Sequence, residues 1–358
     1  MQVIFGVILH FIGGFASGSF YIPYKKVKKW AWESYWLVGG IFSWLVVPPI
    51  AAAITAPGYL DILFQASGDT LGKTYLMGLL WGIGGLTFGL TMRYLGMSLG
   101  MAIVLGFCAA FGTLIPPIVY EFYPQDGNEM TISKLISTTS GLFTLFGVLV
   151  CLIGIAICGK AGIMKEKELS SEQKQEHIKE FNFPKGLLIA TFSGVLSAFM
   201  SFGFETGKPI ARAVVASGVD PLWQNNPVLV VILLGGLTSN FIWCVFLNFR
   251  NKTGSDYTNK QTPLARNYMF AALAGTTWYL QFFFYGMGES ILGRTGFGFS
   301  SWTLHMAFII IVSNIWGLYF KEWQGVSPKT LRVIILGILT VIVSTMIVGY
   351  GNYLSAVQ

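Results

Sequence analysis

Ten runs of about twenty apolar residues follow one another along the chain, each long enough to cross the roughly 30 Å hydrocarbon core of a bilayer as a helix. Their limits are 3–22, 36–56, 74–93, 98–121, 136–159, 186–206, 227–248, 268–288, 300–319 and 331–351. Such a pattern restricts the chain to an all-α integral membrane fold, because helices and closed barrels alone satisfy every backbone polar group in lipid. Pro48 and Pro49 interrupt the second run, Pro116 and Pro117 the fourth, and Pro227 opens the seventh. No cationic stretch precedes the first run. The positive charge follows it, the reverse of a cleaved leader, so the run is expected to be retained as a helix.

Charge fixes the expected orientation. Eighteen of the 23 lysines and arginines lie in the links after runs one, three, five, seven and nine, counting Arg93 and Arg332 at their edges. The positive-inside rule therefore places those links in the cytoplasm and both termini in the periplasm. It also accounts for "FYIPYKKVKKWAWES", where Lys25, Lys26, Lys28 and Lys29 crowd the end of the first run as an orientation anchor reaching toward lipid phosphates. A net charge of +7 could signal nucleic acid, but charge spread over five links on one side is not a nucleic-acid surface. With 11% charged residues against roughly 25% in soluble proteins, the chain cannot clothe a water-facing surface. Trp30, Trp32, Trp36 and Trp323, near run ends, are expected in the interfacial aromatic belt.

Two halves are expected. Residues 146–159 match 336–349 at an offset of 190, pairing Gly147 with Gly337, Gly154 with Ser344 and Gly159 with Gly349. At an offset of 182, Ala16, Ser19, Phe20 and Lys26 meet Ala198, Ser201, Phe202 and Lys208. "VYEF" after run four echoes "FKEW" after run nine. Five is odd, so a second copy enters the membrane inverted, as in alternating-access transporters. The division is a first five-helix repeat over 1–159, a cytoplasmic connector over 160–185 and a second five-helix repeat over 186–358. His177, in the connector, reads as a solvated residue. The glycines of runs five and ten could form a homodimer face or pack on neighbouring helices.

Ionisable groups within the runs are few, and each is a functional candidate. His10 and His305 lie toward the outer side, and Glu205 and Lys208 at the outer end of run six. At least one of His10, His305 and Glu205 is expected to couple protons to movement of a substrate. The plainer alternatives are neutral histidines bonded to a neighbouring helix and a Glu205–Lys208 ion pair. Trp278, Tyr279 and Gln281 sit at mid-depth in run eight, with Trp81 and Thr87 in run three and Trp302 in run nine. Flat aromatic faces with an amide suit a sugar, which has apolar C–H faces and a hydroxyl rim. The cysteines, Cys108, Cys151, Cys158 and Cys244, are read as packing residues. Nucleotide-binding, metalloprotease and serine-hydrolase motifs are absent, so no cofactor, metal or enzymatic activity is expected.

"FYIPYKKVKKWAWES" (20–34), "GLTMRYLGMSLG" (89–100), "WYLQFFFYGMG" (278–288), "SWTLHM" (301–306) and "KEW" (321–323) together resemble the L-rhamnose–proton symporter family of the drug/metabolite transporter superfamily. The resemblance runs in order over nearly the whole chain. It implies ten helices, a five-plus-five inverted repeat and inward sugar transport with protons across a bacterial inner membrane, and it matches His10 and His305 to family histidines. The chain departs from the family form "GNINYGLTMRY", with Gly85 and Phe88 replacing an asparagine and a tyrosine. It departs again before "KP", where "ETG" replaces "NAA" and brings in Glu205. Should those positions line the cavity, another deoxy sugar or small polyol becomes the alternative substrate. A transporter of another metabolite ranks second, and a membrane-embedded sensor or enzyme third.

Overall fold

The computed structural model describes residues 2–122, 131–170, 180–294 and 301–357, and the described residues form helices and turns without a strand. His177 lies outside them. The principal helices are α1 (Gln2–Ser19), α2 (Trp32–Thr55), α3 and α4 within the stretch Gly68–Phe122, α5 (Thr139–Glu168), α6 (Phe183–Ala216), α7 (Asn226–Asn251), α8 (Leu264–Arg294), α9 (Ser301–Tyr319) and α10 (Pro328–Val357). Among the described residues, seven stretches are long and apolar enough to cross a membrane. Apolar side chains face outward along whole helices: Ile4, Ile8, Phe11 and Phe15 on α1, and Leu142, Phe146, Leu149 and Ile153 on α5. In water such stripes would drive aggregation, whereas in lipid they are the outer surface.

The stretch Gly68–Phe122 holds 55 residues, about 80 Å at 1.5 Å per residue, more than two bilayer cores. It divides at Gly96, whose φ of 80° and ψ of 178° only glycine adopts without strain, giving α3 (68–95) and α4 (97–122). A helix that starts anew needs acceptors for its first N–H groups. Glu322, just beyond α9, supplies them: Met97 and Ser98 donate their backbone N–H to its two carboxylate oxygens at 3.0 and 3.1 Å. Lys165 at the end of α5 is buried; its Nζ donates to the Glu322 carbonyl at 2.6 Å and stands 4.8 Å from the Trp323 ring centre. One acidic residue thus ties together the ends of α4, α5 and α9.

Proline shapes α2 and α6. In α2, a π-helical turn (Ile41–Val46) runs directly into Pro48 and Pro49. Proline has no N–H to return to the preceding turn, and the wider π turn absorbs the mismatch. α6 is jointed at Ala198 and at Gly207, ahead of Pro209. The fourth run continues through Pro117 to Phe122.

α1 packs on α8 and α9, and α6 on α3 and α4. α2 packs on α7 and α8, α3 on α7, α4 on α9, and α5 on α10. Along α5 and α10, a Cβ on Gly147 would stand 2.6 Å from Val348 Cγ2, and one on Gly154 would stand 2.8 Å from Val341 Cγ2. One number rises as the other falls, so the helices are antiparallel and meet backbone to backbone. These glycines pack within one chain, which removes them as a face for self-association. Trp30, Trp32, Trp36 and Trp323 are not a lipid-facing belt, because all four are buried. Trp36 stacks on Trp32 at 5.0 Å, and its indole N–H donates to Asn240 Oδ1 at 2.9 Å. An indole at a run end can bury its ring and satisfy its N–H inside the bundle as well as at the headgroups.

Candidate functional site

On α8, Trp278, Gln281 and Phe282 turn toward the middle of the bundle. There they meet Trp81, Gly85 and Phe88 of α3 and Trp302 and Met306 of α9 around a cavity of about 50 Å³. Trp278 is the hub of the aromatic wall. Its ring centre lies 4.6 Å from Phe20, stacked, and 5.1 Å from Trp36, 5.6 Å from Trp44 and 6.2 Å from Trp81. The helices approach closely enough to build this wall because glycines hold them together, as where Gly275 of α8 meets the Gly39 backbone of α2.

Four of the six residues expected to bind substrate come together here: Trp81, Trp278, Gln281 and Trp302. The Gln281 amide makes no hydrogen bond among the described residues, and neither does the buried Trp302 indole N–H. Both are open to a ligand with hydroxyls. Thr87 and Tyr279 do not line the cavity. The Thr87 hydroxyl donates to the carbonyls of Ile83 and Gly84 in its own helix. Tyr279, one residue round α8 from Trp278, packs on Phe283 at 6.0 Å. Ser17 of α1 and Ser197 of α6 line the cavity and were not expected; each sits in a small-residue stretch, "GFASGS" and "SGVLSAF", where a hydroxyl reads as packing.

One turn outward from Phe282, Tyr285 packs on three rings: Trp302 at 5.5 Å, His305 at 5.3 Å and His10 at 5.5 Å. The two histidines are fully buried, with ring centres 6.0 Å apart, and no ring nitrogen has a hydrogen-bond partner among the described residues. A Cβ on Gly13 would stand 3.0 Å from His305, and one on Gly288 2.8 Å from His10, so both imidazoles lie directly against facing backbone. Glu205 is not in this group. Its carboxylate pairs with Lys208 at 2.6 Å, and both side chains are roughly half exposed. A different carboxylate is present: Glu289, half-buried on α8 beyond Tyr285, accepts a hydrogen bond from Asn225 Nδ2 at 3.0 Å. Ending the eighth run at Gly288 assigned Glu289 to a polar link. Its spacing of four from Tyr285 and seven from Phe282 was the signal for a shared face.

Toward the basic end lies a second, larger void of about 550 Å³, lined by Tyr21, Tyr24, Lys25, Lys29, Arg93 and Glu322 among others. Lys25 does not simply extend toward lipid, because its Nζ sits 3.5 Å from the Phe320 ring centre. Arg93 makes two hydrogen bonds to the Glu180 carboxylate, one of them 2.7 Å from Nε, at the edge of this vestibule. Between vestibule and cavity stands Phe20, 5.7 Å from Tyr21 on one side and stacked on Trp278 on the other. The chain is therefore hollow at its basic end and close-packed around the histidines.

The sequence matches the family described as L-rhamnose-proton symport protein (RhaT) over residues 1–354. A protein named L-rhamnose-proton symporter from Shigella dysenteriae serotype 1 (strain Sd197) is 40% identical over 349 residues, covering 97% of each chain. A protein of the same name from Escherichia coli (strain SMS-3-5) is likewise 40% identical over 349 residues, again with 97% of each chain covered.

Proposed function

Because the chain belongs to the L-rhamnose-proton symport protein family, we propose that it carries L-rhamnose inward together with protons across a bacterial inner membrane, by alternating access. The observation that carries this reading is the cavity at the centre of the bundle, where Trp81, Trp278 and Trp302 offer ring faces and the Gln281 amide is unpartnered. Indole faces cover the C–H side of a pyranose, and an amide matches two adjacent hydroxyls.

Ten crossings in two inverted repeats, 1–159 and 186–358, joined by 160–185, are the architecture we infer. The packing scheme supports it. Exchanging each of α1 to α5 for its counterpart among α6 to α10 turns α1 on α8 and α9 into α6 on α3 and α4, and leaves α2 on α7, α4 on α9 and α5 on α10 as they were. The division at Gly96 and the lengths of α8 and α9 support crossings beyond the seven stretches that length and composition alone pick out. Both termini lie in the periplasm on this reading, and a C-terminal tag should be reachable only from outside.

The conformation reads as inward-facing. The vestibule of about 550 Å³ sits at the basic, cytoplasmic end, and the outer end is closed by His10, Tyr285 and His305. A cavity of about 50 Å³ has room for a few waters only. A sugar therefore requires the rings to part, and Phe20, between vestibule and cavity, is the ring placed to do so. Proton coupling is assigned to the His10–His305 pair. A proton on either imidazole puts a charge into a closed, close-packed contact between rings, so proton occupancy biases the equilibrium between conformations. Glu205, already paired at an exposed helix end, is not the proton carrier on this reading.

A second substrate is favoured by one observation. Gly85 and Phe88, where this chain departs from the family form, both line the cavity, and a glycine and a phenylalanine remove two polar partners from a sugar. A related 6-deoxyhexose is the alternative cargo. Uptake of labelled rhamnose into proteoliposomes, with and without an imposed proton gradient and in competition with other deoxy sugars, tests both. Uptake indifferent to the gradient would remove symport, and stronger uptake of another sugar would replace rhamnose.

A further inference from the structure

We propose that Glu289 is the carboxyl that takes up the coupling proton from the outer side and delivers it to the buried His10–His305 pair. The proposal rests on the symport reading and adds to it the group that loads the histidines. On α8, Trp278, Phe282, Tyr285 and Glu289 follow at spacings of four, three and four, one continuous stripe of a helix. The first two line the cavity, Tyr285 touches both histidines, and Glu289 lies one turn further out. α1 and α8 run antiparallel, with Gly6 against Leu292, His10 against Gly288 and Gly13 against the Gln281 carbonyl. Glu289 is thus level with His10, beside its facing residue.

Accessibility falls in steps along this line. Lys208 and Glu205 of α6 are roughly half exposed, Glu289 is half-buried, Tyr285 is buried, and His10 and His305 are closed off. The groups facing Glu289 are known from each neighbouring element. From the residue just before α7 comes the neutral amide of Asn225, the donor at 3.0 Å, and from α6 come Glu205 and Lys208. From α8 comes Tyr285, and α1 contributes His10 beyond it. Lys208, the cation that faces Glu289 from α6, is hydrogen-bonded to Glu205 at 2.6 Å, so its charge is shared between two carboxylates and not held by Glu289 alone.

The step balances within these groups. The protonated Glu289 carboxyl gives its proton to the Tyr285 hydroxyl as that hydroxyl releases its own to an imidazole nitrogen of His10 or His305. One carboxyl O–H bond breaks and one imidazole N–H bond forms, leaving carboxylate and imidazolium, and water from the outer side reprotonates the carboxylate.

Glu289→Gln keeps the shape of the side chain and an oxygen to accept from Asn225, but cannot carry a proton. The experiment uses the full chain in proteoliposomes and reads two processes: exchange of labelled for unlabelled rhamnose at equal pH, which needs no net proton movement, and accumulation driven by one pH unit. For each proton carried per sugar, the parent protein should concentrate rhamnose about tenfold under that gradient, since one unit is about 1.4 kcal/mol. Glu289→Gln should still exchange but level off near an inside-to-outside ratio of about one, the limit for a carrier without proton coupling. Glu289→Asp, which keeps the acid, should restore concentration above that level. Gradient-driven accumulation by Glu289→Gln equal to the parent's overturns the proposal. So does loss of exchange and accumulation together in both variants, which would mark a structural role. A parent protein that accumulates no sugar under the gradient sinks the symport reading itself, a different result from either.

Discussion

Gln281 offers the sharpest test of the cavity as a sugar site. Its side chain is 6% exposed, lines the cavity and has no hydrogen-bond partner among the described residues. Replacing it by leucine keeps much of the volume and leaves no protein group newly orphaned, so folding should change by less than about 1.5 kcal/mol. Binding should change more. Two neutral hydrogen bonds to adjacent hydroxyls, each worth about 0.5–1.5 kcal/mol, sum to about 1–3 kcal/mol. That is a loss of affinity of roughly 5-fold to 150-fold. Titration of tryptophan fluorescence with rhamnose measures the affinity, because Trp278 and Trp81 flank the amide, and thermal unfolding in detergent measures the fold. Gln281→Leu that binds rhamnose as tightly as the parent would refute the assignment of the cavity. Gln281→Leu that melts many degrees lower would show the amide to be structural.

Glu322→Ala should strip the acceptors from the Met97 and Ser98 N–H groups, at about 1–3 kcal/mol each, and Glu322→Gln should cost about half as much; melting curves in detergent check the order. Gly154→Ala brings a methyl to 2.8 Å from Val341 Cγ2 and 2.9 Å from the Val341 backbone nitrogen, an overpacking cost of about 1–3 kcal/mol seen as lower folded yield and melting temperature. Rhamnose should slow alkylation of Cys108, which lines the cavity, and leave Cys158 and Cys244 unaffected; mass spectrometry after timed exposure to a small maleimide reads this.

The bundle was legible in the sequence because lipid imposes a simple rule, a run of about twenty apolar residues for each crossing. The division of 68–122 at Gly96 was implied by length, and Arg93 marked the turn. Which face of each helix turns inward was harder to read. A helix wetted by lipid on one side and packed by protein on the other is apolar all round, so hydrophobicity carries little orientation. Trp278 and Tyr279 looked equivalent, yet about 100° of rotation puts one in the cavity and the other beside Phe283. Thr87 looked like a ligand, but a threonine within a helix can bond its own carbonyls, and it does. Trp36 was assigned to the headgroups by its place near a run end, and what holds it in the bundle is Asn240, more than two hundred residues away. His10 and His305 were recognised singly; that they face each other, with Tyr285 packed against both, depends on how α1, α8 and α9 converge.

The α5–α10 crossing has one further implication. Shifting α5 by 190 positions maps Gly147 onto Gly337 and Gly154 onto Ser344, and in the bundle Gly147 meets the Ser344 carbonyl while Gly154 meets the Gly337 carbonyl. Each contact is the other with its partners swapped, the signature of an isologous interface between two identical subunits. A forerunner half this length could have closed the same seam by pairing with a copy of itself. On the two-repeat reading proposed above, residues 1–159 and 186–358 expressed as separate polypeptides should find each other again across it.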